Sequence, residues 1–518
     1  MKTLNIFLIS GIFNLILFSS VISFAQYSGG NGRGDHMAQG NGLQITSCTN
    51  PTDGGEIASN QNICSGTSPA AFNSISLPAG HTGTLEYQWQ LTTVTPTISF
   101  DDWEDVGTNT DTYEHVGTVT QTTWFRRLAK VTCETNWVPS NVVLVSVVNY
   151  EISTAGNEIV ITDICVIGET LDVTENGSNI RFNVAGRYYS LDGGAPLPFP
   201  ADIPLAGVNG ITINAGGGDD IINIGAFAAS LPSLTINGAT GDDVINFNGD
   251  ITFLANAHLD VDLQDDAPNP GIDRVSVASN ANLVLSGDGM ATVKVSRSLF
   301  INSGGSIETE NGELIVDVNQ QATATSGSFV GVSLPGGGLQ VNGSGVLAVK
   351  GRGGNSGSGQ HGIQISGSGK IQGGDETCTV IGTGGTNTDN DNYGIVIANS
   401  GQITSGGAGT VSVSGTGGSG SGIFNYGLVI EGANARITSG GGAVEVNGQG
   451  GGGAGSGSQN NGIRLVNEGQ ITSGSSGTVT VTGMGGTGTG SDNYGIIIAT
   501  SGQITSGGAG TVSVSGTG

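Results

Sequence analysis

Hydrophobic and polar residues alternate in short runs along most of this chain, and strict alternation is typical of β-strands that bury one face. Between residues 48 and 148 the runs are LEYQWQL, TTWFRRLAKVT and NVVLVSVV, separated by turn-rich segments. Runs of this length and spacing favour an antiparallel sandwich. The four tryptophans also lie here, at Trp89, Trp103, Trp124 and Trp137. The sequence therefore predicts an all-β protein that begins with a β-sandwich.

An internal repeat dominates the rest of the chain. The segment NYGIVIANSGQITSGGAGTVSVSGTG begins at Asn392 and returns almost unchanged at Asn493. Successive copies follow one another at steps of 32 to 35, and each copy divides into a 23-residue unit and an excursion of 10 to 12. Asp219 and Asp242 are separated by the same 23-residue period. A 23-residue turn with three short strands predicts a right-handed parallel β-helix whose excursions leave at one corner.

Substitutions between the copies predict which columns of side chains face the interior. Arg464 stands where neighbouring copies have Val396, Val429 and Ile497, so this column is predicted to reach solvent. Cys378 aligns with Val411 of a predicted interior column, and we expect it to be a small buried hydrophobic residue. The columns predicted to point inward contain Ile395, Leu428, Ile463 and Ile496, and Ile397, Ile430, Leu465 and Ile498.

The composition excludes several classes of protein. Lys and Arg number 15 against 42 Asp and Glu, and the resulting charge of −27 disfavours binding to phosphate backbones, so no nucleic-acid partner is expected. The 93 glycines follow no three-residue period and the 13 prolines are few, which excludes collagen. Hydrophobic residues make up 36% of the chain, mostly in alternating runs, so disorder is disfavoured.

The segment 1–25 has the features of an export signal. Lys2 precedes a largely apolar stretch, and Ser23 and Ala25 are the small residues that favour cleavage before Gln26. Polar residues interrupt the stretch, which favours cleavage over the alternative, a membrane anchor. We therefore expect a secreted or surface-attached protein without a transmembrane span in the mature chain, in a compartment where disulfides persist.

These patterns divide the chain into five parts. After the signal at 1–25 we predict a glycine-rich linker at 26–47, the sandwich at 48–150, irregular rungs at 151–350 and regular repeats at 351–518. Residues 151–210 are either a separate small β-domain or a cap on the first rung. Because Gly518 lies two residues into the next excursion, we expect the chain to be a fragment.

Two parts of the chain resemble known proteins. The strings GGEIASNQNICSGTSPAAF, YQWQ, TYEHVGTVTQTTWFRRLAK and SNVVLVSV resemble immunoglobulin-like modules of large secreted Bacteroidetes proteins. The repeat array resembles the β-helical, filamentous-haemagglutinin-like passengers of bacterial adhesins and the glycine-rich strand repeats of other giant surface proteins. These resemblances imply an exposed spacer or binding protein, and they carry no catalytic residue.

The immunoglobulin resemblance also implies a disulfide. Cys64, Trp89 and Cys133 stand in the order in which such domains pack a buried Trp on an intersheet bond between the two cysteines. Partners for Cys48 and Cys165 stay open. The odd total of five cysteines leaves at least one thiol free or paired between chains.

Paired acidic residues are candidate calcium ligands. Asp219 and Asp220 lie in GGGDDIINI, and Asp242 and Asp243 lie in ATGDDVINF. Both strings resemble the calcium-binding nonapeptide of repeat toxins. Calcium takes six to eight oxygen ligands, so a complete site needs neighbouring rungs to contribute. The alternative, which we favour, is solvated turn aspartates; no other cofactor is expected.

A column of Asn and Tyr residues marks the excursion corner of the repeats. Its aromatic members are Tyr393, Tyr426 and Tyr494, each preceded by Asn, while the third copy has Asn460 and Asn461. Stacked Asn and aromatic side chains stabilise coils of this kind, which is the interpretation we favour. The alternative is a row of exposed rings on which a sugar stacks.

The sequence favours a structural function over catalysis. Enzymes on this fold use clustered carboxylates with a basic partner on one face, and no spacing here singles out such a pair, so no catalytic residue is predicted. We expect a non-enzymatic, adhesin-like or stalk protein that binds extracellular or cell-surface glycans or proteins. The alternatives are a carbohydrate-active enzyme and a calcium-stabilised matrix protein. The ingredients available to an enzyme are Asp260, Asp262, Asp265, Asp266, His258, Lys294 and Arg297.

Overall fold

The computed structural model describes residues 48–96, 102–264, 270–453 and 457–518. The predicted export signal and linker, together with Asp265 and Asp266, lie outside the described residues. In the described part of the chain, no helix is long and apolar enough to cross a membrane.

The first domain is a small β-structure around an aromatic core. Trp89 is fully buried, and its ring packs against Tyr113 with ring centroids 5.5 Å apart. Phe72 packs against Phe125 at 4.5 Å. The long strands pair antiparallel, whereas Gln61–Ile63 pairs parallel to the last strand. The strands are Glu56–Ile57, Gln61–Ile63, Ser74–Ser76, Leu85–Thr92, Glu104–Val106, Thr123–Val131, Val138–Pro139 and Val143–Val147.

The disulfides differ from the pairing that the sequence implied. Cys64 is bonded to Cys165, 101 residues later and already within the second domain. Cys378 is a free, buried thiol, and Cys48 and Cys133 are both disulfide-bonded. The expected Cys64–Cys133 bond is therefore wrong. Its physical basis is missing, because aromatic rings rather than a disulfide cover Trp89 and because the sulfur of Cys64 lies 4.0 Å from the carbonyl oxygen of Ile164 in the second domain.

The second domain is a parallel β-helix, as the repeat predicted. Within the described residues its strands form three sheets, which we call sheets A, B and C, with 15, 13 and 9 members respectively. Each strand of the regular part pairs in parallel with the equivalent strand one rung later. The backbone of every rung therefore depends on its two neighbours for hydrogen bonds.

Besides the three sheets, the second domain contains a short 3-10 helix, Ala155–Asn157. In spatial order, sheet A contains Leu197–Pro198, Tyr188–Leu191, Tyr150–Ser153, Glu158–Asp163, Gly210–Asn214, Ser233–Asn237, Leu259–Leu263, Ala291–Val295, Leu314–Val318, Leu347–Arg352, Cys378–Thr383, Val411–Thr416, Val444–Gln449, Val479–Met484 and Val512–Thr517. Sheet B contains Ala201–Pro204, Asn179–Asn183, Thr170–Asn176, Ile221–Ile224, Val244–Phe247, Arg274–Val277, Ser298–Ile301, Val332–Pro335, Ile363–Ser366, Ile395–Ala398, Leu428–Glu431, Ile463–Val466 and Ile496–Ile498. Sheet C contains Ile251–Thr252, Asn282–Leu285, Ser306–Thr309, Gly338–Val341, Lys370–Gly373, Gln402–Ser405, Arg436–Ile437, Gln470–Ser473 and Gln503–Ser506.

The first end of the helix is built differently from the rest. Thr170–Asn176 pairs antiparallel with Asn179–Asn183, which in turn pairs antiparallel with Ala201–Pro204. Tyr150–Ser153 pairs antiparallel with Glu158–Asp163. These strands share one continuous hydrophobic core with the regular rungs. They cover the first parallel strands of sheets A and B, so those strands present no unpaired edge at this end.

The interior columns are confirmed along most of the helix. Ile395, Leu428 and Ile463 are fully buried in sheet B, and so is Cys378 in sheet A, which pairs with Val411. Each aliphatic side chain that is removed from water in such a column contributes about 1.5–3 kcal/mol. Only the last described rung departs from this pattern: there Ile496 is half-buried and Ile498 is exposed.

The column predicted to reach solvent is instead covered. Val396 and Val429 point away from the interior, yet they are only 6% and 2% exposed. Tyr426 packs over them from the corner, together with Tyr393 and with Phe424 of the excursion. The prediction was wrong because residues of the corner and the excursion fold back over sheet B. The column accommodates Arg464 because its guanidinium is 3.3 Å from the carboxylate of Glu431 and lies over the ring of Tyr426.

Glycine is required where sheet A turns towards sheet B. A Cβ atom at Gly427 would collide with the backbone nitrogen of Gln449 and the backbone oxygen of Gly462. By contrast, a Cβ atom at Gly441 would have no neighbour within 4 Å. The glycine repeat therefore reflects close approach of backbones at the corner, and not a general need for flexibility.

We expect Gly427→Ala to lower the free energy of unfolding by about 1–3 kcal/mol, because the corner has to move apart to admit the methyl group. Thermal and urea denaturation followed by circular dichroism would measure the change. Gly441→Ala is the matched control and should unfold like the wild type. Equal effects of the two substitutions would contradict the close-approach argument.

Candidate functional site: the corner between sheets A and B

The turn from sheet A into sheet B brings most of the predicted site residues to one corner. Asp220 directly precedes a strand of sheet B, and Asn425 lies three residues before a later one. Most rungs place one polar side chain here, and its oxygen accepts a backbone N–H from the preceding rung; the row is interrupted at Phe329, between Ser296 and Gln360. We call this row the corner ladder. Its members are Asp220, Asp243, Asp273, Ser296, Gln360, Asn392, Asn425, Asn460 and Asn493.

The later part of the corner ladder consists of buried amides. The backbone N–H of Asn392 donates to Oδ1 of Asn425 at 2.9 Å, and that of Asn425 donates to Oδ1 of Asn460 at 2.7 Å. The Nδ2 groups face the excursions: Asn392 donates to the carbonyl of Asp389 at 3.0 Å and Asn460 to that of Gly422 at 3.1 Å. An amide suits this position because it is both acceptor and donor. It thereby fixes each excursion to the coil.

The first part of the corner ladder uses carboxylates for the same purpose. Oδ1 of Asp220 accepts the backbone N–H of Glu169 at 2.8 Å, and Oδ1 of Asp243 accepts that of Asp220 at 2.9 Å. Oδ1 of Asp273 accepts the N–H of Asp243 at 2.7 Å. The row then passes to Ser296, whose hydroxyl accepts the N–H of Asp273 at 3.0 Å. All three aspartates are at most 3% exposed.

The four candidate calcium ligands do not converge. Asp220 and Asp243 belong to the buried corner ladder, whereas Asp219 and Asp242 are exposed and accept backbone N–H groups of their own, from Asp242 at 3.0 Å and from Ile272 at 2.9 Å. Within the described ranges, no three His, Cys, Asp or Glu side chains are arranged to hold a metal. The arrangement does not fit calcium, because one acid of each pair turns inward and the other turns outward.

Burial changes the acid-base chemistry at the first rung. It raises the pKa of Asp220 to about 7 and that of Asp163 to about 8, and the nearby carboxylate of Glu169 adds repulsion to both. Burial also raises the pKa of Glu169, against the attraction of Arg187, whose Nε lies 2.6 Å from Oε1. The buried phenol of Tyr150 belongs to the same group. Near neutral pH, a protonated Asp220 resembles the amides of later rungs.

The aromatic column forms a stack whose ring faces are covered. His361 stacks on Tyr393 with centroids 4.6 Å apart, and Tyr393 stacks on Tyr426 at 5.2 Å. Burial lowers the pKa of His361 to about 4, so its ring is neutral at physiological pH. The guanidinium of Arg464 lies 5.8 Å from the Tyr426 ring, and Tyr494 is 49% exposed. This geometry favours the structural ladder over a sugar platform at the first two tyrosines.

Two of the residues considered for catalysis, Asp262 and Lys294, form an ion pair. Nζ of Lys294 is 2.8 Å from Asp262, and Nζ of Lys350 is 3.3 Å from Asp317. These four residues occupy one outward column of sheet A on successive rungs, with alternating charge. Nδ1 of His258 accepts the backbone N–H of Met290 at 3.0 Å. The arrangement neutralises charge along the sheet and does not place two carboxylates across an open groove.

Sequence reasoning missed several members of this corner. Asp163 and Glu169 belong to no repeat, and Asp273 is further from Asp243 than one repeat period because additional residues precede it. The signal that could have found Asp273 is its position directly before an alternating strand, which it shares with Asp220. Gln360 is the equivalent of Asn392 with a longer amide side chain.

Residues 53–149 match the family model described as Domain of unknown function (DUF8696). This match covers the first domain, which is less than a fifth of the chain. No curated protein and no solved structure matches the chain. The function therefore has to be argued from the geometry of the protein itself.

We expect Asp220→Asn to reduce the dependence of stability on pH. Because the pKa values of Asp220 and Asp163 are raised on folding, the folded protein holds protons that the unfolded chain releases. The free energy of unfolding should therefore fall as the pH rises from about 4 to about 8, and should level off above that range. The melting temperature of the wild type, measured at intervals from pH 5 to pH 9, would show this decline.

In Asp220→Asn the decline should be smaller, and the variant should be more stable than the wild type at pH 9. The matched control is Asp242→Asn, which changes an exposed acid of the neighbouring rung. It should keep the wild-type profile. A wild-type melting temperature that rises between pH 5 and pH 8 would contradict the assignment.

Proposed function

We propose that this protein is a non-enzymatic, extracellular, adhesin-like stalk that contacts glycans or proteins through the outer face of its β-helix. The observation that carries the proposal is the uninterrupted stack of parallel strands over one continuous core. At about 4.8 Å between neighbouring strands, sheet A extends for about 65 Å. A stack of this kind adds length and surface with every rung, because each rung buries its aliphatic face only against its neighbours.

The outer face of sheet A supports a role in contact. In the regular repeats most of its outward side chains are hydroxyls and amides, interrupted by Ile381, Glu445 and Met484, and a shallow groove of about 110 Å³ runs between them. Ser414, Asn447 and Thr482 follow one another along the groove on successive rungs. Side chains of this kind exchange hydrogen bonds with sugar hydroxyls or with a peptide backbone. None of the residues that line the groove carries a group suited to acid-base catalysis.

The covalent structure supports an extracellular location. Four of the five cysteines are in disulfides, and such bonds persist in oxidising compartments. The net charge of −27 favours solubility and disfavours nucleic acids. The predicted export signal and the resemblance to secreted surface modules point in the same direction.

The full-length protein, immobilised on beads, should be retained on a polysaccharide array or on a collagen-coated surface without releasing reducing ends from the same polysaccharides. Introducing charge with Asn447→Glu plus Thr482→Glu should reduce retention at least fivefold. The matched control, Thr472→Glu plus Thr505→Glu, lies on sheet C and should leave retention unchanged. Release of reducing ends would show an enzyme and overturn the proposal. Lack of retention on every surface would overturn the adhesive function.

A further inference from the structure

A cleft of about 430 Å³ lies where the first domain meets the β-helix. Trp124, Leu144 and Ser146 line it from the first domain, and Tyr188 and Pro196 line it from the first hairpin of the β-helix. Its volume is within the range of small-ligand pockets, which often form between domains. The cleft is separate from the corner ladder and from the groove on sheet A.

The strand pattern explains why an indole ring lies in this cleft. Phe125 points into the aromatic core, so the adjacent Trp124 has to point to the opposite face of the sheet. Trp124 pairs with Leu144 on the neighbouring strand, and Ser146 follows on the same face two residues later. The outer face of this sheet therefore presents an aromatic surface towards the hairpin.

The two walls of the cleft are held in fixed positions. The disulfide between Cys64 and Cys165 joins the two domains covalently. Beside it, the backbone N–H of the fully buried Asn149 donates to the carbonyl of Tyr188 at 2.8 Å, and the N–H of Tyr188 donates to Oδ1 of Asn149 at 3.3 Å. A cleft with fixed walls loses little conformational entropy when a ligand enters.

The lining of the cleft is uncharged but rich in hydrogen-bonding groups. Besides the aromatic rings it contains Gln121, Thr122 and other hydroxyls, and no Asp, Glu, Lys or Arg side chain. Among the described residues, nothing pairs with the indole N–H of Trp124 or the phenol of Tyr188. Aromatic faces pack against the apolar faces of sugar rings, while free neutral donors and acceptors bond their hydroxyls.

We infer that this cleft binds a neutral saccharide, with its rings against Trp124 and Tyr188. An anionic ligand would find no counter-charge in the cleft and would be repelled by the net charge of −27. The aromatic walls would also admit a proline-rich peptide, but the many hydroxyls favour a polyhydroxylated ligand. This site goes beyond the adhesive function proposed for sheet A, because it lies in a different part of the molecule.

Titration of the full-length protein with soluble hexasaccharides tests this inference. The probes are cellohexaose, laminarihexaose, maltohexaose and mannohexaose, compared with hexagalacturonate and a proline-rich decapeptide. Binding is followed by calorimetry and tryptophan fluorescence. At least one neutral hexasaccharide should bind, and hexagalacturonate at least tenfold more weakly. Preference for the peptide or the acidic sugar, or binding of none of the probes, would overturn the inference.

Amino-acid substitutions test whether the saccharide binds in the cleft. Trp124→Ala and Tyr188→Ala should each lower the affinity for the neutral sugar at least tenfold. Trp124→Phe keeps an aromatic ring and should lower this affinity less. The matched control is Trp137→Ala, a half-buried tryptophan beside Lys130 that is not among the residues lining the cleft. It should bind normally. Unchanged binding by folded Trp124→Ala and Tyr188→Ala would overturn the cleft site, and loss of binding in the Asn447→Glu plus Thr482→Glu variant would place the sugar on sheet A instead.

Discussion

The whole β-helix depends on giving every buried backbone N–H group an acceptor, because a buried N–H group without one lowers the free energy of unfolding by about 1–3 kcal/mol. Strands satisfy this requirement through their neighbours, but a corner interrupts the ladder. At the corner between sheets A and B the missing acceptor is a side-chain oxygen supplied by the next rung. This connection recurs at most turns, beside aliphatic columns that stay in register. At these turns the packing of the interior and the hydrogen bonding of the corner support each other.

Two chemical solutions to this requirement occur in one chain. The uncharged amide of Asn425 accepts a backbone N–H from the coil and donates to the carbonyl of Asp389 in the preceding excursion. The carboxyl of Asp220 accepts the same kind of N–H, but burial penalises its charged form. The stability of the corner therefore depends on pH at the rung of Asp220, whereas the amide of Asn425 does not titrate. The difference follows from the exchange of one oxygen for one nitrogen in the side chain.

The sequence predicted the features that arise from contacts between equivalent residues of neighbouring rungs. The 23-residue period and the burial of Ile395 and Cys378 follow from it, because equivalent residues contact each other directly. It did not predict that Tyr426 covers Val429, since the repeat period does not determine the direction in which a corner side chain turns. The partner of Cys64 was missed for a similar reason, because it lies in another domain. The cleft at Trp124 combines two segments that share no pattern.

The bond between Cys64 and Cys165 also determines how tension passes through the molecule. A force that pulls on the chain before residue 64 is transmitted through the sulfur atoms directly to the first rung of the β-helix. The intervening residues, which include most of the aromatic core and the tryptophan wall of the cleft, lie in a covalent loop that this bond closes. Because the bond ties Cys64 to Cys165, tension cannot pull these two points of the cleft-bearing region apart without breaking it.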